Sequence, residues 1–270
     1  MSVVPLLAVT ASRWATAAAS LSLVGLALAL ARWLRLRVER DLIVASVRAA
    51  VQLLLVGGLF VAIFESSRAM AWAWTWVVGM VVVATVVVRR RAPSGIPNLT
   101  AAVTLAVLIS GGISIAVTFG LGVLDLAPVS LVVIAGITIG NAVPSAALAA
   151  NLSVDACRDR IAETEAALSL GFDRRESARL LASRTARSAL IPQVDRTKVV
   201  GLIALPGAMT GLLLAGVDPV DAVVIQLLVM YLILGAAAVC VVTVVGTITH
   251  SAITPTLQTA AWTRDRETRP

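Results

Sequence analysis

Charge is scarce in this chain: only 14% of its 270 residues are Asp, Glu, Lys or Arg, and 59% are hydrophobic. That balance excludes an ordinary soluble domain and leaves a protein built around long apolar runs. Cysteine is nearly absent, and Cys157 and Cys240 lie too far apart to form a disulfide framework or a zinc site. There is one histidine, His250, and one lysine, Lys198. A phosphate-binding loop needs Gly-Lys-Ser/Thr, and Arg-Thr-Lys198-Val-Val does not supply it, so the chain is no ATPase by itself. Carboxylates are missing from the centres of the apolar runs: Glu65, Asp125, Asp218 and Asp221 sit at their ends. Gradient-driven carriers bury such groups, so their absence disfavours that class. No ten-residue alternation of the kind a transmembrane barrel requires is visible. The net charge of +7 does not indicate a nucleic-acid partner, because the basic residues gather at the ends of apolar runs.

The apolar runs are long enough for membrane helices, which need about 20 residues each. The pattern predicts an all-α polytopic membrane protein with seven spans, at 14–34, 43–64, 70–88, 99–121, 127–150, 199–216 and 220–248. Helices satisfy their own backbone groups and are the default spanning element. Trp14 and Trp33 bracket the first span, and Trp72, Trp74 and Trp76 open the third, as interfacial aromatics do. Nineteen of the 22 basic residues fall after spans 1, 3, 5 and 7, while Arg13 and Arg68 lie on the other side and Arg48 within span 2. The positive-inside rule then places the N-terminus outside and the C-terminus in the cytoplasm, in a cytoplasmic (inner) membrane. A cleaved signal peptide carries its charge before its apolar core. Here Arg32, Arg35, Arg37 and Arg40 follow the core, which favours a retained span. The expected organisation is one transmembrane domain over residues 1–270, with a single cytoplasmic excursion at 151–198.

That excursion is the most informative stretch. Asp155 to Leu170 mixes apolar and charged residues at helical spacing, and Gly171 can take the left-handed conformation that ends a helix. Asp173 followed by Glu176 reads as a capping box opening a second helix to about Leu190, with Pro192 marking its end or a kink. Phe172 stands at the turn as an aromatic anchor for a partner pocket. A solvated loop that merely satisfies topology is the plainer reading. The specified turn chemistry and the length argue for more.

Glu165-Ala166-Ala167-Leu-Ser-Leu-Gly171 resembles the EAA signature of ABC-transporter permeases. Val47-Arg48-Ala-Ala-Val-Gln52-Leu-Leu, Ile134-Ala-Gly136-Ile-Thr-Ile-Gly140-Asn141-Ala and the block from Ile191-Pro192 to Met209-Thr-Gly211 are similar to the FetB-type permease family. The likeness runs from about residue 40 to 248, and the 191–211 block is its most specific part. The resemblance implies a permease subunit that pairs with a separate cytoplasmic ABC ATPase and with a second copy of itself. In that family this role is linked to iron export and metal resistance, and in plant relatives to aluminium tolerance. It implies that Glu165, Ala166, Ala167, Gly171, Phe172 and Asp173 form the ATPase-coupling segment, and that ATP is used by the partner with no cofactor held here. One departure is plain: the Leu-Pro of the wider EAA pattern is replaced by Ala182-Ser183.

Several residues are candidates for the pathway or its gate. Gly136 and Gly140 form a Gly-x-x-x-Gly followed by Asn141 and Pro144, and Gly207 and Gly211 repeat the spacing after Pro206. Small residues at that spacing serve close helix packing, or with proline they loosen a helix for gating; the sequence leaves both open. Arg48 and Gln52 share a face of span 2. An intramembrane arginine marks function by default, yet Arg48 is about two turns from the edge and can snorkel. Met209 and Met230 suit packing or a soft metal, and no metal-ligand cluster is spaced for binding. Two other classes remain: a gradient-driven carrier, and a lipid-handling scaffold or intramembrane enzyme, the last lacking any visible nucleophile–base pair.

Overall fold

A computed structural model describes residues 21–92, 96, 98–201 and 206–264. Among them the chain is all-helical, with one isolated bridge between Ile253 and Thr259. Two compact units, residues 1–67 and 68–270, divide it. The first contains α1 (Leu21–Trp33) and α2 (Glu39–Phe64). The second contains α3 (Ala69–Arg91), α4 (Leu99–Gly120), α5 (Pro128–Asp159), α6 (Ile161–Ser169), α7 (Arg174–Val199), α8 (Gly207–Leu214), α9 (Pro219–Ser251) and α10 (Ala261–Arg264).

Among the described residues five helices are long and apolar enough to cross a membrane: α2, α3, α4, α5 and α9. The chain is therefore a multi-pass membrane protein. In the second unit α5 and α9 form the central pair, with α3, α4 and α7 packed around them. Small residues make this contact close: Ala135, Ala142, Ala146, Ala149 and Ala150 on α5, and Ala222, Ala236 and Ala237 on α9, are buried. Without a hydrophobic drive in lipid, such close packing is what holds helices together. Buried hydroxyls are mostly paired within their own helices, with Thr118 and Ser177 left without a partner. Ser114, Thr138, Ser153 and Thr249 donate to carbonyls four residues back. Cys240 of α9 reaches Ser110 of α4 at 3.4 Å, and Arg89 bonds Thr100 where α3 and α4 meet end to end.

Three expectations change. The fifth helix does not stop near residue 150. It continues through the predicted start of the polar island to Asp159 and breaks at Arg160 (φ −114°, ψ 30°). The helix expected over Asp155–Leu170 is thus two pieces, the tail of α5 and α6. Second, α7 does not end near Leu190 but runs through Pro192 to Val199. Proline removes one backbone bond without ending the helix, because α5 and α9 flank it. Third, 199–216 is not one continuous span. Gly201 turns the chain at φ +85°, residues 202–205 lie outside the described set, and α8 has eight residues. Eight helical residues cover about 12 Å against a hydrocarbon core of about 30 Å. The predicted first span is seen as the 13 residues of α1, and its start before Leu21 also lies outside the described residues.

Candidate functional site

The corner between α6 and α7 is built by local chemistry alone. Gly171 sits at φ +91°, its N–H donates to Leu168 O at 3.1 Å, and Phe172 N–H donates to Ala167 O at 3.1 Å. This is a Schellman ending, and only glycine enters it without a side-chain penalty. Two residues later Asp173 Oδ1 accepts from Glu176 N–H at 2.7 Å while Glu176 Oε2 accepts from Asp173 N–H at 2.9 Å. One helix is stopped and the next started within four residues, so the corner is stiff. Ala167 is buried beneath it and Ala166 faces out. Leu170 is 79% exposed and Phe172 40% exposed, two apolar side chains at the tip of a capped turn.

Glu165 has a different use from the tip residues. After α9 the chain folds back as a strap, closed by Ala260 N–H to Ala252 O (2.8 Å) and Thr254 N–H to Gln258 O (2.8 Å). From it the Thr259 hydroxyl and the Arg264 guanidinium both donate to Glu165 Oε1, at 3.0 and 3.1 Å, and Arg264 also donates to Thr259 Oγ1 at 2.8 Å. Trp262 donates its indole N–H to Ser251 O at 3.4 Å. The strap was not foreseen in the sequence. Its one signal is the Thr254-Pro255-Thr256 turn chemistry. Both charges of the Glu165–Arg264 pair are half exposed, so it is worth at most about 1 kcal/mol. Arg264→Ala should therefore leave the fold intact and free the strap, read as faster proteolysis after Ser251 and a fall in Tm below about 4 °C.

The polar island divides into a corner and a long helix packed on the apolar core. Its corner stands at the C-terminal end of α9, where Arg174 donates to the His250 carbonyl at 2.9 Å. From there α7 runs antiparallel along α9. Arg175, Arg179 and Ala182 line one cavity with Gly246, Thr249 and His250, while Gln193, Arg196 and Val199 line another with Met230 and Ile233. Residues 222–249 of α9 hold no charge, a stretch of about 42 Å at 1.5 Å per residue. Any 30 Å hydrocarbon slab placed within it contains residues 230–241, whichever way the protein faces. The part of α7 from about residue 187 to 195 lies level with that stretch, although α7 is too polar to count among the five apolar helices. Ser177, Ala178, Leu181, Thr185, Ala189 and Gln193 form its buried stripe against α5 and α9. Arg179, Arg184, Arg187, Arg196 and Lys198 are exposed on its other sides. An arginine at the bilayer centre costs about 2.5–3.5 kcal/mol on insertion scales, which argues against a lipid-facing position for Arg187.

The other candidates scatter. At Gly136 a Cβ would meet only the Met80 methyl of α3, at 3.4 Å. Gly140 faces open space one turn on, and Pro144 inside α5 leaves the Gly140 carbonyl without its usual helical donor. Asn141 donates to Ile137 O at 2.7 Å within its own helix. Pro206 caps α8 and lines the cavity shared with Gln193 and Met230, while Gly207, Met209 and Gly211 follow on α8. Arg48 and Gln52 lie one turn apart on α2, in the other unit. Among the described residues no three of His, Cys, Asp and Glu come together to hold a metal ion.

Fold and site define a helical membrane protein whose longest helices carry a stiff apolar corner at one end and a charged helix packed along them. Residues 14–253 match the model of the "Uncharacterised protein family (UPF0014)", and the chain belongs to that family. It is 32% identical over 221 residues to UPF0014 membrane protein STAR2 of Oryza sativa subsp. japonica, covering 82% of this chain and 77% of that one. It is 31% identical over 221 residues to the Probable iron export permease protein FetB of Escherichia coli (82% and 85% covered). It is also 31% identical over 226 residues to Protein ALUMINUM SENSITIVE 3 of Arabidopsis thaliana (84% and 82% covered). No solved structure matches.

Proposed function

We propose that this chain is the membrane half of an ATP-driven exporter of the ABC type. Two copies pair in the cytoplasmic membrane, N-termini outside and C-termini inside, and each presents its α6–α7 corner to a separate ATPase subunit that binds and spends the ATP. The cargo class is metal, iron first, on the strength of the relative whose name is probable iron export permease. The observation that carries this reading is the corner itself. A Schellman ending and a capping box hold Leu170 and Phe172 exposed beyond the end of the longest apolar helix, which is the form a mechanical contact needs. Movement of the corner is transmitted along α7, whose buried stripe is packed on α5 and α9.

The test is reconstitution of the purified chain with a candidate soluble P-loop ATPase subunit, reading ATP hydrolysis and metal flux together. Gly171→Pro is the decisive variant. Proline fixes φ near −65° and has no N–H, so neither the +91° turn nor the bond to Leu168 O survives. Stimulated ATP hydrolysis should fall at least about tenfold, and unchanged stimulation would refute the coupling assignment. Flux that collapses with the proton gradient but persists without ATP would instead establish the gradient-driven carrier.

A further inference from the structure

A charged helix at membrane depth needs water. Arg187 lies between the two fixed points of the α7–α9 seam, Ala182 beside Gly246 and Gln193 beside Ile233, and so falls level with about residue 240 of α9, inside the part that any bilayer placement keeps in hydrocarbon, while Arg184 lies about one turn nearer the corner. With a slab of about 30 Å centred on the charge-free stretch of α9, Arg187 lies about 7 Å inside its edge. Arg184 and Arg187 are exposed, as are their neighbours Ser183 and Ser188. Exposed polar faces within a membrane are tolerated where they line a water-filled cavity. At the corner end, a cavity of about 370 Å³ lined by Arg175, Arg179 and His250 opens beside the same helix. Over its length α7 carries seven basic residues against Glu176 and Asp195.

We infer that the exposed face of α7 is a wall of the water-filled route through the membrane, and that its positive field makes this a route for anions. The inference rests on the transport reading above and names what that route accepts. A bare divalent or trivalent metal ion is repelled by such a wall. A metal passes it as a complex with an anionic chelator, or the cargo is itself an anion. A ring or row of Arg and Lys is the usual lining of anion-selective pores.

The experiment is thiol labelling. In a Cys157→Ala, Cys240→Ala background, Ser183→Cys, Ser188→Cys and Ile191→Cys are each treated in membrane vesicles with impermeant methanethiosulfonates. One reagent is anionic (sulfonatoethyl), the other cationic (trimethylammonioethyl). Leu105→Cys, exposed on the apolar α4, is the lipid-facing control. The expected result is reaction at all three α7 positions, at least about tenfold faster than at the control, with the anionic reagent ahead of the cationic one. No reaction at residues 188 and 191 in protein that still binds its ATPase overturns the wall. Equal rates, or a faster cationic reagent, overturn its anion preference. Labelling needs neither ATP nor cargo, so the wall can stand where ATP-driven flux fails, and can fall where that flux is established.

Discussion

Replacing Leu170 and Phe172 together with serine is expected to separate the ATPase from the membrane subunit without disturbing either. Both side chains project from the α6–α7 corner, 79% and 40% exposed, so their loss removes little internal packing. The turn itself is held by backbone bonds at Gly171 and Phe172 and by the Asp173–Glu176 box, none of which uses these side chains. An apolar anchor seated in a partner pocket contributes about 2 kcal/mol or more on truncation, and each 1.4 kcal/mol is a factor of ten in affinity. Phe172→Ala alone should weaken ATPase binding by about thirtyfold, and the double variant by more than about a hundredfold. Titration of the labelled ATPase onto vesicles reads the affinity, and an unchanged Tm of the membrane subunit shows that the fold persists. Binding within about threefold of the parent would remove the corner from the interface. Arg264→Ala makes the contrast, because Glu165 is engaged by the strap rather than turned to solvent alone.

The corner was legible because its determinants are local. Gly171, Asp173 and Glu176 lie within six positions, and their backbone chemistry does not depend on what surrounds them. The five long apolar spans were legible for the same reason: length and hydropathy are properties of a segment. What the sequence hid was the company each segment keeps. A run with mean polarity as high as that of Arg174–Val199 reads as cytoplasmic by the rule that places arginines inside. That rule does not show that it packs along α9, where its buried stripe of Ser177, Ala178, Leu181, Thr185 and Ala189 is small enough for α5 and α9 to approach it closely. Hydropathy averages over a helix and does not register that one face is small and the other charged. The strap is a second case. Thr259 and Arg264 are 94 and 99 residues from Glu165, and no local pattern announces a bond over that separation. The Gly-x-x-x-Gly of α5 is not a tight helix contact: a Cβ at Gly136 would reach only the Met80 methyl at 3.4 Å, and one at Gly140 would meet nothing.

Reversing one charge in the middle of α7 should have the largest effect on what crosses the membrane. Arg187→Glu changes the field on the exposed face by two units at a position that every bilayer placement keeps within the hydrocarbon. For a monovalent probe at about 8 Å across water, Coulomb's law gives about 0.5 kcal/mol per unit, hence about 1 kcal/mol for the reversal. Anionic and cationic probes shift in opposite directions, so the ratio of their rates at Ser188→Cys should fall about thirtyfold at low salt. At physiological ionic strength, where the Debye length is also about 8 Å, the fall should shrink to about fourfold. That salt dependence distinguishes a field effect from a distorted helix, which would slow both reagents alike at any ionic strength. Flux of the native cargo in the reconstituted complex should drop at least as far as the rate of the anionic probe, while Arg187→Lys keeps the charge and most of the flux. If Arg187→Glu instead leaves the anionic cargo untouched and speeds nothing cationic, the arginines of α7 are held against another protein surface rather than against the moving ion, and the route runs elsewhere.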